Sequence, residues 1–236
     1  MISDQQKDRV LSLIQTIERE LITNEQTISQ VCTLVREESE LLLLSNDSLA
    51  PILRTALVIN WREAAMKPRY ERFRRLFPEI SGVADLHRVI RSMGALDFCR
   101  QYLDISANPV HPERNPKYKL LRELTEGFLA YMEHFEIADE MAAIRHWATR
   151  LDIANVKSDF IGRRKGIGIG VAENIRLNLG YAVMKPDRHV IGVMRKYLGV
   201  DVRFEQYNDF SNSIGVNPRY LDCLLFEYGK LKRISA

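Results

Sequence analysis

Cysteine is scarce in this 236-residue chain, and its spacing builds nothing. Cys32, Cys99 and Cys223 stand far apart in apolar, helix-patterned stretches, which excludes a local metal knuckle or redox pair and predicts reduced, buried thiols. Long apolar runs are missing as well. Leu41 to Leu44 is a run of four, where a bilayer span needs about 20. The start, Met1-Ile2-Ser3-Asp4-Gln5-Gln6-Lys7, is polar and lacks the plan of a secretory leader, so a cytoplasmic protein is expected. No alternating stretch is long enough for a convincing strand, and no repeat or low-complexity segment appears. The net charge of +3 does not announce a polyanion partner by itself.

What is present is helical periodicity and an uneven distribution of charge. Hydrophobic residues make up 46% of the chain, ample for a core. Val10, Leu13, Ile14, Ile17 and Leu21 form one stripe, with Ser3 as candidate N-cap. Further helices are expected over 27–44, 50–65, 68–77, 85–93, 96–105, 117–134, 137–152, 171–179, 188–198, 204–214 and 218–232. Lys67-Pro68 is expected to interrupt the helix over 50–65, and Gly94 to cap the one over 85–93. Pro109, Pro112 and Pro116 mark the one clear loop, over 104–116. Trp147, Phe128 and Tyr131 fall at core positions. The expected class is all-α. Residues 1–46 carry eight acids and four bases, whereas 155–200 carry nine bases and three acids, which fits one polyanion-facing surface.

Within that basic region lies the run Lys165-Gly166-Ile167-Gly168-Ile169-Gly170-Val171-Ala172. It reads as a tight hairpin, over about 161–176, that opens a helix. Gly166 and Gly168 can take backbone conformations closed to side chains. Amides at the following helix start can then hold a phosphate, helped by the helix dipole. Arg163, Arg164 and Lys165 immediately precede the hairpin and are candidate phosphate contacts. Asp187 follows at the next helix start, in Pro186-Asp187-Arg188-His189-Val190. A phosphate clamp and a carboxylate together suggest chemistry on a nucleotide.

The hairpin and the Asp turn, with Gly180 between them and Arg195-Lys196-Tyr197-Leu198-Gly199 after them, resemble the helix-hairpin-helix DNA glycosylases, the superfamily that includes endonuclease III. The likeness extends more weakly over about 50–232. Asn60, beside Trp61, falls where the family carries a base-gap-filling residue. Val89 to Gly94 and Leu221 to Lys230 resemble further helices. The resemblance implies a two-lobed helical fold over 47–236, with 1–46 as an additional helical segment. It implies DNA contact by Arg163, Arg164, Lys165, Gly166, Gly168, Gly170 and Val171, and Asp187 as the catalytic acid. Asn60, Trp61 and His189 become pocket or wedge candidates. Gly170 stands where bifunctional members carry a lysine nucleophile, and only Cys223 lies where others bind an iron–sulfur cluster. No metal or other cofactor is expected. The implied partner is double-stranded DNA containing a damaged or modified base, which is flipped out and hydrolysed from its sugar.

Two other readings of the same residues stand beside this one. The hairpin suits a non-catalytic DNA-binding protein equally well, and it could be no more than a helix connection in a protein-interaction module. Asp187 is an ordinary N-cap residue, and His189 can serve as packing at a helix start.

Overall fold

The structure, a computed structural model, describes residues 4–23, 38–58, 63–103, 116–185, 187–198, 203 and 206–234. Every regular element among them is helical, and no strand occurs there. The chain divides into two compact units, 1–45 with 179–236, and 46–178. The sequence reading groups the residues differently, setting 1–46 apart from 47–236. No described helix is long and apolar enough to cross a membrane.

The unit made of 46–178 contains α3 (Leu49–Val58), α4 (Glu63–Leu76), α5 (Val83–Met93), α6 (Ala95–Leu103), α7 (Pro116–His134), α8 (Glu140–Arg150), a short 3-10 helix (Ile153–Ser158) and α9 (Ile169–Asn178). Trp147, Phe73, Phe98, Phe128, Leu53 and Leu86 are fully buried there. Phe128 meets Trp147 edge-on, with ring centroids 5.4 Å apart. Pro68 does not break its helix as expected: α4 runs through it. The ring sits exposed, early in the helix, where its missing N–H costs one bond to the carbonyl four residues back. Gly94 caps α5 with φ of 88°, as expected of a glycine at that place. The α8 start is held by Asp139, whose Oδ1 accepts the Ala142 N–H at 2.6 Å. Glu140 turns back to accept the first amides of α5, Val83 N–H at 2.6 Å and Ala84 N–H at 2.8 Å.

The other unit contains α1 (Asp4–Thr23), α2 (38–44), α10 (Arg188–Val193) running into a π-helical turn (Met194–Leu198), α11 (Tyr207–Ser213) and α12 (Pro218–Leu231). The α1 stripe packs as its period predicts. Val10, Ile14, Ile17 and Leu21 are buried with Val190, Val193, Phe210, Leu221 and Leu225 in one core. Each such side chain contributes about 1.5–3 kcal/mol of burial. Polar contacts reinforce the same face: the Tyr220 hydroxyl donates to Glu18 at 2.6 Å, and Lys232 pairs with Glu20 at 2.5 Å. Gly180 has φ of 90° and lies against the backbone of Ser39 and Leu43, so this position accepts no side chain.

Candidate functional site

The hairpin is built by an aspartate that the sequence reading passed over. Asp159 Oδ1 accepts the Ile161 N–H at 2.9 Å, the Gly162 N–H at 2.8 Å and the Trp147 indole N–H at 2.7 Å. One carboxylate oxygen thus pins the turn to the largest of the fully buried side chains among the described residues. Gly162 packs so closely on Val156 that an added Cβ would collide with the Val156 carbonyl. The far side of the hairpin is tied by Lys157, whose ammonium donates to the Ile167 carbonyl at 2.6 Å. The helix that follows is anchored to α3, where the Thr55 hydroxyl accepts from Asn174 at 3.1 Å and from Asn178 at 3.2 Å.

The glycines of the hairpin fall into separate classes. Gly166 has φ of 86° and needs to be glycine for that reason alone. Gly168 does not share this positive φ, contrary to expectation. An added Cβ at Gly168 or Gly170 would meet nothing within 4 Å. Neither backbone conformation nor packing explains why these two positions are bare. Gly168 serves as the N-cap of α9: its carbonyl accepts the Val171 and Ala172 amides at 3.1 and 2.9 Å. The Ile169 and Gly170 amides remain as the open donors of this ten-residue helix.

The candidate phosphate contacts are not equivalent either. Arg163 and Lys165 are exposed, and the Arg163 guanidinium lies 4.9 Å from the Phe160 ring centroid. Arg164 turns inward instead. It pairs with Glu123 at 3.3 Å and Glu126 at 3.8 Å, and its side chain lies across Gly127. Val171, Gly166 and Gly170 sit on or beside the start of α9. Asn60 and Trp61 lie outside the described residues, as does the Pro109–Pro112 loop.

Asp187 occupies the N-cap of α10, with φ of −90° and ψ of 151°, and its Oδ1 accepts the His189 N–H at 2.9 Å. The turn leading to it is fastened at successive amides by side chains from two helices. Asn208 of α11 accepts the Met184 N–H at 2.7 Å, and Asp222 of α12 accepts the Lys185 N–H at 2.8 Å. The Asp187 N–H folds back on the Lys185 carbonyl at 2.7 Å. His189 points its ring away from this work: Nδ1–H donates to the Ile234 carbonyl at 2.6 Å, and the ring stands edge-on to Phe226, centroids 5.6 Å apart. Gly229 lets α12 approach His189, since a Cβ there would fall 2.8 Å from the His189 Cβ.

Asp222 is the residue that sequence reasoning missed. Burial pushes its carboxyl up to about 7, opposed by the Lys185 N–H and the Lys185 and Arg219 charges and assisted by the charge of Asp187. The side chain keeps some surface to solvent, but protein crowds its carboxyl. The only sequence signal was an acid set between apolar residues in Leu221-Asp222-Cys223-Leu224-Leu225. Asp222 thus reaches from α12 to fasten the turn that ends at Asp187, with its carboxyl raised by burial. Among the described residues, no three His, Cys, Asp or Glu side chains converge as a metal-binding group. No protein-family model, curated protein or solved structure matches this chain.

Proposed function

We propose that this protein is a monofunctional DNA glycosylase, which hydrolyses the bond between a damaged or modified base and its deoxyribose and leaves an abasic site. The observation that carries the reading is the pair Gly168 and Gly170. Neither steric contact nor a positive φ requires their bareness, whereas a sugar–phosphate chain approaching the open amides of α9 does. The likeness of the Pro186-Asp187-Arg188-His189-Val190 turn to the glycosylase turn supplies the chemistry. Cleavage of an N-glycosidic bond builds oxocarbenium-like charge on the sugar, and a fixed carboxylate stabilises it. Asp187 is fixed by a turn in which four amides, those of Met184, Lys185, Asp187 and His189, are each bonded. The same acid takes a proton from the attacking water.

Gly170 has no amine to attack the sugar, so water is the nucleophile. The test is mass spectrometry of bases released from a panel of duplexes carrying damaged and modified bases. Wild type should free at least one base, and Asp187→Asn, which keeps a capping side chain, should lose release by orders of magnitude while still binding DNA. DNA binding with no base released from any duplex would instead favour a non-catalytic helix-hairpin-helix DNA-binding protein.

A further inference from the structure

The unit made of 46–178 carries a second concentration of positive charge, far from the hairpin in sequence. From Lys67 to Leu76, on α4, five bases stand against one acid, Glu71, a balance of +4 within a chain whose net charge is +3. These bases divide by direction. Arg74 turns inward: its guanidinium donates to the Ile80 carbonyl at 2.9 Å and lies 3.6 Å from Asp47. Lys67, Arg72 and Arg75 stand exposed, turned away from the fully buried Phe73. Arg69, Arg72 and Arg75 recur every three residues, and like charges at that spacing destabilise a helix. The helix dipole favours Arg74 and Arg75, in the last turn, but not Lys67 and Arg69 nearer the start. Helix stability alone therefore does not favour this row, whereas a polyanion lying along it does. Building on the DNA-binding part of the reading above, we infer that the exposed basic face of α4 is a second contact for the DNA backbone, so that one compact unit meets the duplex at α4 as well as at the hairpin.

One helix, α3, holds both places. Asp47, just before α3, receives the Tyr70 hydroxyl and the Arg74 guanidinium of α4, and its Oδ1 accepts the Leu49 N–H at 3.1 Å. Further along α3, Thr55 receives Asn174 and Asn178 of α9. The basic helix and the helix that follows the hairpin are thus fastened to the same element, within one compact unit. The row also suits a phosphate chain in length. Arg69 to Arg75 spans about 9 Å of helix axis, against one phosphate per about 3.4 Å of duplex axis on each strand, so the face can meet two or three phosphates. Such contacts position the duplex without reading its sequence. An acidic protein would satisfy the charge as well; the hairpin with its open amides, on the same unit, favours DNA.

The experiment measures affinity for an undamaged duplex against salt concentration, on the full chain. The double variant Lys67→Ala, Arg75→Ala should keep the melting temperature of wild type, bind more weakly on every sequence alike, and lower the slope of log affinity against log salt by about 2. The control is Arg88→Ala, Arg100→Ala, which removes the same charge from exposed positions on α5 and α6 of the same unit. Each of those arginines pairs with an acid of its own helix, Asp85 at 3.2 Å and Asp97 at 3.5 Å. The control should keep the wild-type slope. A slope unchanged in the α4 variant, or lowered equally by the control, would overturn the inference. Acetylation of the wild-type lysines, read by mass spectrometry, needs no variant. Duplex should protect Lys67, and full reactivity of Lys67 in the complex would overturn the inference. Equal protection of Lys67 by polyglutamate at the same concentration of charge would show a surface for any polyanion, and would overturn its assignment to DNA. If the α4 variant behaves as expected but wild type releases no base from any duplex, the glycosylase reading fails and the α4 contact stands. Failure of wild type to bind DNA at all would overturn both.

Discussion

Replacing Asp222 with asparagine should stabilise the unit that contains it, and by more as the pH rises. The unfolded carboxyl has the ordinary value of 3.8, while burial in the folded chain raises it to about 7. Between those values the folded state binds more protons than the unfolded state. Stability therefore falls as pH rises through the window, and the whole penalty stands above pH 7. From 3.8 to 7 the displacement corresponds to about 4 kcal/mol above pH 7 and about 2 kcal/mol at pH 5. Some surface of Asp222 meets solvent, so these are upper bounds. Asparagine keeps an oxygen for the Lys185 N–H and has no charge to bury. Trp147 belongs to the other unit, so its fluorescence would follow the wrong transition. Hydrogen exchange of the α12 amides, over Pro218–Leu231, reports the right one. The variant's advantage should grow by up to about 3 kcal/mol between pH 5 and pH 8. An equal difference at both pH values would refute the reasoning, because it would mean that the buried carboxyl is not what titrates.

The hairpin gives a contrast within one short segment. Gly162→Ala should destabilise its unit by about 2 kcal/mol or more, because the new methyl strikes the Val156 carbonyl, whereas Gly168→Ala should leave the melting temperature nearly unchanged. Gly168→Asp should fold as well but bind DNA more weakly on every sequence, and unchanged binding would remove the hairpin from the DNA surface. Arg163→Ala should lower the salt dependence of DNA binding by about one phosphate contact, measured as the slope of affinity against salt. Arg164→Ala should cost stability instead, since that guanidinium is held by Glu123 and Glu126; the reverse pattern would contradict the placement of these two side chains. Borohydride should trap no enzyme–DNA adduct, because Gly170 has no amine and Lys157 is bound to the Ile167 carbonyl at 2.6 Å. An adduct that disappears in Lys165→Ala or Lys185→Ala would show a relocated nucleophile and a strand-cleaving enzyme.

Much of the helical framework was legible because it depends on local rules. The Val10–Leu21 stripe has the period of a helix face, and that face is buried. Gly94 and Asp187 sit at helix ends where their backbone and side-chain chemistry belong, and they cap as read. Pro68 misled because proline's cost depends on its place in the helix, which the sequence does not mark sharply. The 3-10 helix at Ile153–Ser158 was missed for a related reason: it is six residues, kinked at Asn155 and started by the Asp152 side chain, too brief to show a period.

The candidate site was legible only in part, because its remaining members acquire their properties from distant residues. Asp159 matters through Trp147, Asp222 through Lys185 and Asp187, and Gly162 through Val156. None of these relations is written in a local pattern. The sequence also presents the hairpin glycines as one motif, where the structure separates them by cause. Gly162 is fixed by contact and Gly166 by its positive φ, so either would be kept in a protein that never met DNA. Gly168 and Gly170 are held by neither constraint. A side chain at those two positions would meet no steric obstacle in the fold, and the proposed DNA contact is what gives their bareness a use. On that argument, alanine and aspartate at 168 and 170, rather than at 162 or 166, separate what the molecule needs to fold from what it needs to bind.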